Sequence, residues 1–152
     1  MSVSPKVIAS AKKAISWEKG NPAPYFYLGE ANRLTGNSLK QRIMRPPYFE
    51  AAVAAYRQEL AIFPQDEKGW GHLGEALDGL KRFPEAETAY LTAINLDPNL
   101  GVLYGYYAAH LQVRGRSAAA QQVRRAGEEL SRKNLAPILD NALDAPNPAP
   151  VQ

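Results

Sequence analysis

Residues 48–64, YFEAAVAAYRQELAIFP, lie over residues 82–98, RFPEAETAYLTAINLDP, with Ala52 on Ala86, Tyr56 on Tyr90, Leu60 on Ile94 and Pro64 on Pro98. Every pair is 34 residues apart. A fixed period of this length in an alanine-rich, helix-prone chain means that the fold repeats one small unit. Each unit buries its apolar face against the next, and three or so are needed for a continuous core.

The fullest copy runs from about Glu67 to Leu100, with Trp70, Leu73, Gly74, Leu77, Ala86, Tyr90, Ala93 and Pro98 as its marks. This pattern resembles the tetratricopeptide repeat (TPR) family. The resemblance implies an all-α fold, a short right-handed superhelical solenoid of antiparallel helix pairs. Gly74 and Ala86 are expected where the paired helices approach most closely, with Trp70, Leu73, Leu77 and Tyr90 filling the space around them. Asp97-Pro98 is expected to stop the second helix.

The same copy contains GWGHLG at 69–74, the G-x-G-x-x-G spacing of dinucleotide sites. That motif must follow a strand and hold its glycines in a turn. Here the repeat puts Trp70 to Leu77 inside a helix, and a nucleotide site is set aside.

The register divides one domain over residues 1–143. An N-terminal half-repeat helix is expected at about 3–19, repeat 1 at 22–65, repeat 2 at 67–100, repeat 3 at 101–133 and a capping helix at 137–143. Repeat 1 aligns Tyr25, Leu28 and Gly29 with Trp70, Leu73 and Gly74, but eleven more residues separate its tyrosines than separate Trp70 from Tyr90. The excess is read as an inserted loop at 34–47 closed by Pro46-Pro47. The Pro-rich tail, 144–152, is expected to be disordered.

The chain of 152 residues has no cysteine, which excludes disulfides, thiolate metal sites and a cysteine nucleophile. Lys6, Lys12 and Lys13 interrupt any signal-peptide core, and no apolar run approaches a membrane span, so a cytoplasmic protein is expected. The net charge of +3 conceals segregation. Residues 50–98 hold nine acids against four bases, whereas 33–45 hold four bases and no acid, and 111–133 six bases against two acids. Glu128 and Glu129 interrupt the C-terminal arginines and the middle is acidic, so nucleic acid is not expected as a partner.

In the family that the sequence resembles, the first helix of each pair lines a concave surface that binds extended peptides or partner helices. Carried onto this chain, the groove positions are Phe26, Glu30, Arg33, Lys68, Gly71, Glu75, Asp78 and Gly105. Co-chaperones of the family hold a terminal carboxylate with Lys and Asn; here Phe26 and Gly71 replace the Lys, and Glu30 and Glu75 the Asn. That binding mode is not expected. The positions imply instead an apolar end at Phe26, an acidic strip at Glu30, Glu75 and Asp78, and glycine-floored space at Gly71 and Gly105. A partner segment with apolar and basic residues would suit them. A second contact surface is expected on the insertion at Lys40, Arg42, Ile43, Met44 and Arg45.

No catalytic motif is present, and no cofactor is expected. His72 and Glu75 are two ligands where zinc needs three or four, so no metal site is expected either. The function implied by the resemblance is a non-enzymatic interaction adaptor or assembly factor. The alternative is a self-associating scaffold, a homo-oligomer in which the basic insertion and C-terminal arginines meet the acidic middle repeat.

Overall fold

The computed structural model describes residues 5–143, with side chains described as far as residue 134. The described residues form seven α-helices: α1 Pro5–Trp17, α2 Ala23–Ser38, α3 Pro46–Ile62, α4 Glu67–Gly79, α5 Phe83–Leu96, α6 Gly101–Val113 and α7 Ser117–Leu143. A 3-10 turn, Arg42–Met44, lies between α2 and α3. Helices α2 and α3, α4 and α5, and α6 and α7 form antiparallel pairs stacked in chain order, with α1 against α2.

The middle pair shows how local sequence makes the unit. Asp66 caps α4 by accepting from the backbone N–H groups of Lys68 and Gly69 at 2.9 and 3.0 Å, satisfying donors that a helix leaves open at its start. Trp70, Leu73 and Leu77 then recur at the three-to-four spacing of one helix face. The chain reverses through Lys81, which has a left-handed φ of 60°, and Arg82 N–H donates to Leu77 O at 2.9 Å. The next repeat makes the same turn with Gly115 at φ 73°. Pro84 opens α5, where no N–H is required. At the other end Asp97 N–H reaches Ala93 O and Pro98 has no N–H to continue the ladder.

Within the first two pairs a tyrosine ring lies on a glycine. A Cβ added to Gly29 would stand 2.6 Å from the Tyr56 ring, and one added to Gly74 would stand 2.7 Å from the Tyr90 ring. Ala52 and Ala86 are wholly buried beside these contacts, and Leu73, Ala76 and Leu77 join the same core. The tyrosines can be deeply buried because glycine lets each ring reach the opposing backbone.

The first helices touch one another, α2 with α4 and α4 with α6, whereas the second helices α3, α5 and α7 make no comparable mutual contact among the described residues. The first helices therefore form the inner wall of the curve. On the outer side a crevice of about 450 Å³ opens between α3 and α5, floored by Leu73 and Leu77.

Two expectations need correction. The insertion is not a loop over 34–47: α2 continues helical to Ser38, one turn beyond the length of α4, and Pro46-Pro47 opens α3 instead of closing a segment. Gly36 stands at the repeat position of Lys81 and Gly115 but stays helical, because the Phe49 ring packs on it. The separate cap at 137–143 is also absent. Residues 130–136 carry no glycine or proline to end the helix, and α7 continues through Pro137 to Leu143. The tail 144–152 and residues 3 and 4 of the expected first helix lie outside the described residues.

Candidate functional site: the inner wall

The residue that follows the large aromatic of each first helix is Phe26, Gly71 or Gly105, and the next is Tyr27, His72 or Tyr106. The second column covers the first across the repeat boundary. The His72 ring lies 6.0 Å from that of Phe26, and the Tyr106 ring 5.3 Å from that of His72. Tyr106 also lies over Gly71, where an added Cβ would meet its ring at 3.1 Å. The glycine-floored space expected at Gly71 is thus occupied by a tyrosine of the next repeat. Gly105 has no atom within 4 Å of the Cβ position and remains open.

The expected acidic strip is an internally paired cluster. Arg33, read from sequence as an exposed groove position, is only 8% exposed. Its Nε and Nη2 donate to the two carboxylate oxygens of Glu30 at 2.9 and 3.1 Å, and Nη1 lies 3.3 Å from Glu75 Oε2. The hydroxyl of Tyr56 also donates to Glu30, and His72 Nδ1 stands 2.8 Å from Glu75. Burial would push the Glu30 carboxyl up, but hydrogen bonds from Arg33 and Tyr56 outweigh it and hold the group below the usual range. Arg33 is raised against the effect of its burial by Glu30 and Glu75.

Asp78 belongs to a second cluster. It accepts from Tyr90 Oη at 3.0 Å and faces His110 Nδ1 at 2.8 Å. His110 is buried and stacks on Tyr107. Burial raises the Asp78 carboxyl more than its bonds to His110 and Tyr90 lower it. Arg33 with Glu75 ties the first repeat to the second, and Asp78 with His110 ties the second to the third.

The remaining expected residues stand apart from this wall. Lys68 is exposed in the first turn of α4. Lys40 and Arg42 are exposed, as are Ile43, at 87%, and Met44. Arg45 is half-buried, its Nε donating to Leu39 O at 2.8 Å, and the 3-10 turn packs against α3.

Sequence reasoning missed the rings of His72 and Tyr106, the buried His110, and the hydroxyls of Tyr56 and Tyr90. A signal existed for two of them. His72 shares its repeat position with Tyr27 and Tyr106, and His110 replaces the small Ala31 and Ala76 of the other copies. A further buried carboxyl lies elsewhere, at the α3–α4 junction. Glu59 is 1% exposed, its Oε2 has no hydrogen-bond partner, and burial together with neighbouring Asp66 pushes it up to about 8.

Helix pairs stacked at this period, with a tyrosine on a glycine inside the pair and first helices along the inner wall, define a TPR-type helical solenoid. Solved structures carry the same fold. This chain superposes on "MamA MSR-1 C2" with TM-score 0.65 at 21% identity, over 84% of this chain and 67% of that one. A second MamA crystal structure gives TM-score 0.66 at 21% identity, with 85% and 64% covered. MamA 41-end from Desulfovibrio magneticus RS-1 gives 0.53 at 17% identity, with 83% and 84% covered. The chain thus spans about two thirds of the length of the first two. No family model matches the sequence, and no curated protein matches it. Among the described residues no group of three or more His, Asp or Glu is placed to hold a metal, and no helix is long and apolar enough to cross a membrane.

Proposed function

We propose that the protein is a non-enzymatic interaction adaptor or assembly factor that binds a partner segment along the inner wall of α2, α4 and α6. One observation carries the reading: the row of Phe26, His72 and Tyr106 crosses all three first helices and ends at the bare backbone of Gly105. Aromatic rings with locked positions supply contact area at small entropic cost, and an uncovered glycine lets a ligand approach the helix closely. Glu30, Arg33 and Glu75 hold the wall in place beneath the rings. A basic side chain on the partner would meet Glu75 only in competition with Arg33 and His72, so apolar contact contributes most of the affinity.

The test is a quantitative pull-down with wild type, Phe26→Ala and Gly105→Trp, followed by reconstitution from purified components. Gly105→Trp places a side chain in the open space at the end of the row, which Gly105 shares with Arg124, Glu128 and Arg132 of α7, without disturbing the core. A partner lost with both variants supports the reading. Undiminished binding removes the inner wall as the site and turns attention to the insertion. A second reading, self-association through that insertion, is favoured by the exposure of Ile43 and Met44 beside Arg42. It requires concentration-dependent dimers that dissolve in salt, and a monomer at high concentration and low salt refutes it.

A further inference from the structure

We propose that a groove at the N-terminal end of the solenoid, between α1 and α2, is a docking site for an acidic amphipathic helix of a partner protein. This surface adjoins the inner wall at Tyr27, whose ring lies 5.8 Å from that of Phe26, but opens on the other side of α2, and its function does not depend on the reading above.

The repeat spacing identifies which kind of helix would fit there. Tyr56 precedes Trp70 by 14 residues, Tyr90 precedes Tyr104 by 14, and Ala11 precedes Tyr25 by the same 14. Helix α1 is therefore a second helix, equivalent to α3 and α5. Those helices are each covered by a first helix of their own pair, with the tyrosine on its glycine. Among the described residues α1 has no such companion. Its equivalent face instead lines a cavity of about 470 Å³ with Val7, Ala11, Ala14, Pro24 and Tyr27.

Tyr27 gives independent support. His72 and Tyr106, its counterparts, each pack on the preceding first helix. Among the described residues no preceding first helix lies against Tyr27, which is 61% exposed. Trp17, at the end of α1, is 75% exposed. Two exposed aromatics flanking an apolar trough are the residue types that dominate helix-in-groove binding.

Charge selects the occupant. Residues 5–29 carry Lys6, Lys12, Lys13 and Lys19 against Glu18 alone. On the helix, Lys6, Lys13 and Trp17 share one flank of the groove, and Lys13 Nζ lies 5.0 Å above the Trp17 ring. An incoming helix with Glu or Asp on that flank gains complementarity. A second copy of this chain fits poorly: its C-terminal end presents α7, another second helix, and residues 111–133 are themselves basic. Ala11 also stands where α3 and α5 have tyrosine, so the trough is lined by small side chains and suits an occupant with large apolar ones.

The probe is a synthetic amphipathic peptide of about the length of α1, with Leu and Phe on one face and Glu on the adjoining flank. Its control carries Lys in place of Glu. Binding to the full chain is followed by fluorescence anisotropy at low and high salt. The expected result is that the Glu peptide binds about tenfold or more tightly than the Lys peptide, with an advantage that salt erodes. Ala14→Arg in the trough and Trp17→Ala on the rim should each weaken it about tenfold, while Gly105→Trp leaves it unchanged. Trp17→Ala alters an exposed ring, so it tests the surface even if Ala14→Arg unsettles α1. Equal binding of both peptides, loss of binding with Gly105→Trp, indifference to both groove variants, or a dimer of this chain that Trp17→Ala dissolves would each overturn the proposal.

Discussion

Gly74 and Gly105 both lie within helices, and the structure makes their substitution act in opposite directions. A methyl group at Gly74 collides with the Tyr90 ring, which is held by its bond to Asp78. Gly74→Ala is therefore expected to destabilise by about 2–3 kcal/mol in urea unfolding. Gly105 meets nothing, so Gly105→Ala should stabilise by about 0.5–1 kcal/mol through helix propensity alone. Glu59 supplies a pH-dependent case. Its carboxyl is ionised in the unfolded chain above about 4.5 but stays protonated in the fold up to about 8. The folded state then holds the extra proton, so the contribution of Glu59 to stability is greatest below the unfolded value and falls as pH rises to about 8. Glu59→Gln keeps the shape without the ionisation. Its unfolding curve should match wild type near pH 4.5 and exceed it by up to about 4 kcal/mol near pH 8; a difference that does not change with pH would refute this account.

At the scale of elements, the turns between paired helices decide where the repeats differ. Lys81 carries the left-handed conformation that Gly115 adopts at the equivalent position, and only glycine does so without a steric cost. Lys81→Gly should raise stability by about 0.5–1 kcal/mol, measurable as a shift in thermal midpoint. In repeat 1 no such turn forms, because Phe49 lies on Gly36 of α2 and on Gly79 of α4 and favours continuation of α2. Phe49→Ala should cost about 3 kcal/mol and loosen the α2–α3–α4 junction, while Ile43→Ser should change stability by less than about 0.5 kcal/mol. The helix pairs were legible from Gly29, Gly74, Tyr56 and Tyr90 because their spacing encodes a close approach within one unit. The length of α2 was not, since it depends on Phe49 meeting a helix of another repeat. The inner wall was half legible for the same reason: the positions of Glu30, Glu75 and Asp78 follow from register, but the links of Glu75 to Arg33 and of Asp78 to His110 cross repeat boundaries that a single-copy motif does not describe.

For the whole molecule, contacts run almost entirely between chain neighbours and between adjacent first helices. Such a stack opens from its ends. Amide exchange should accordingly be slowest in α3, α4 and α5 and faster in α1, which is covered on one side only; uniform protection across all helices would refute this. The links between repeats on the inner wall, Arg33 with Glu75 and Asp78 with His110, also have a mechanical meaning. They are short tethers on the inside of a curved stack, whose outer side has a crevice instead of tight contact between α3 and α5. The stack is thus a spring clasped on its inner side by two polar links, and a ligand that straightened or tightened the curve would have to do elastic work against them.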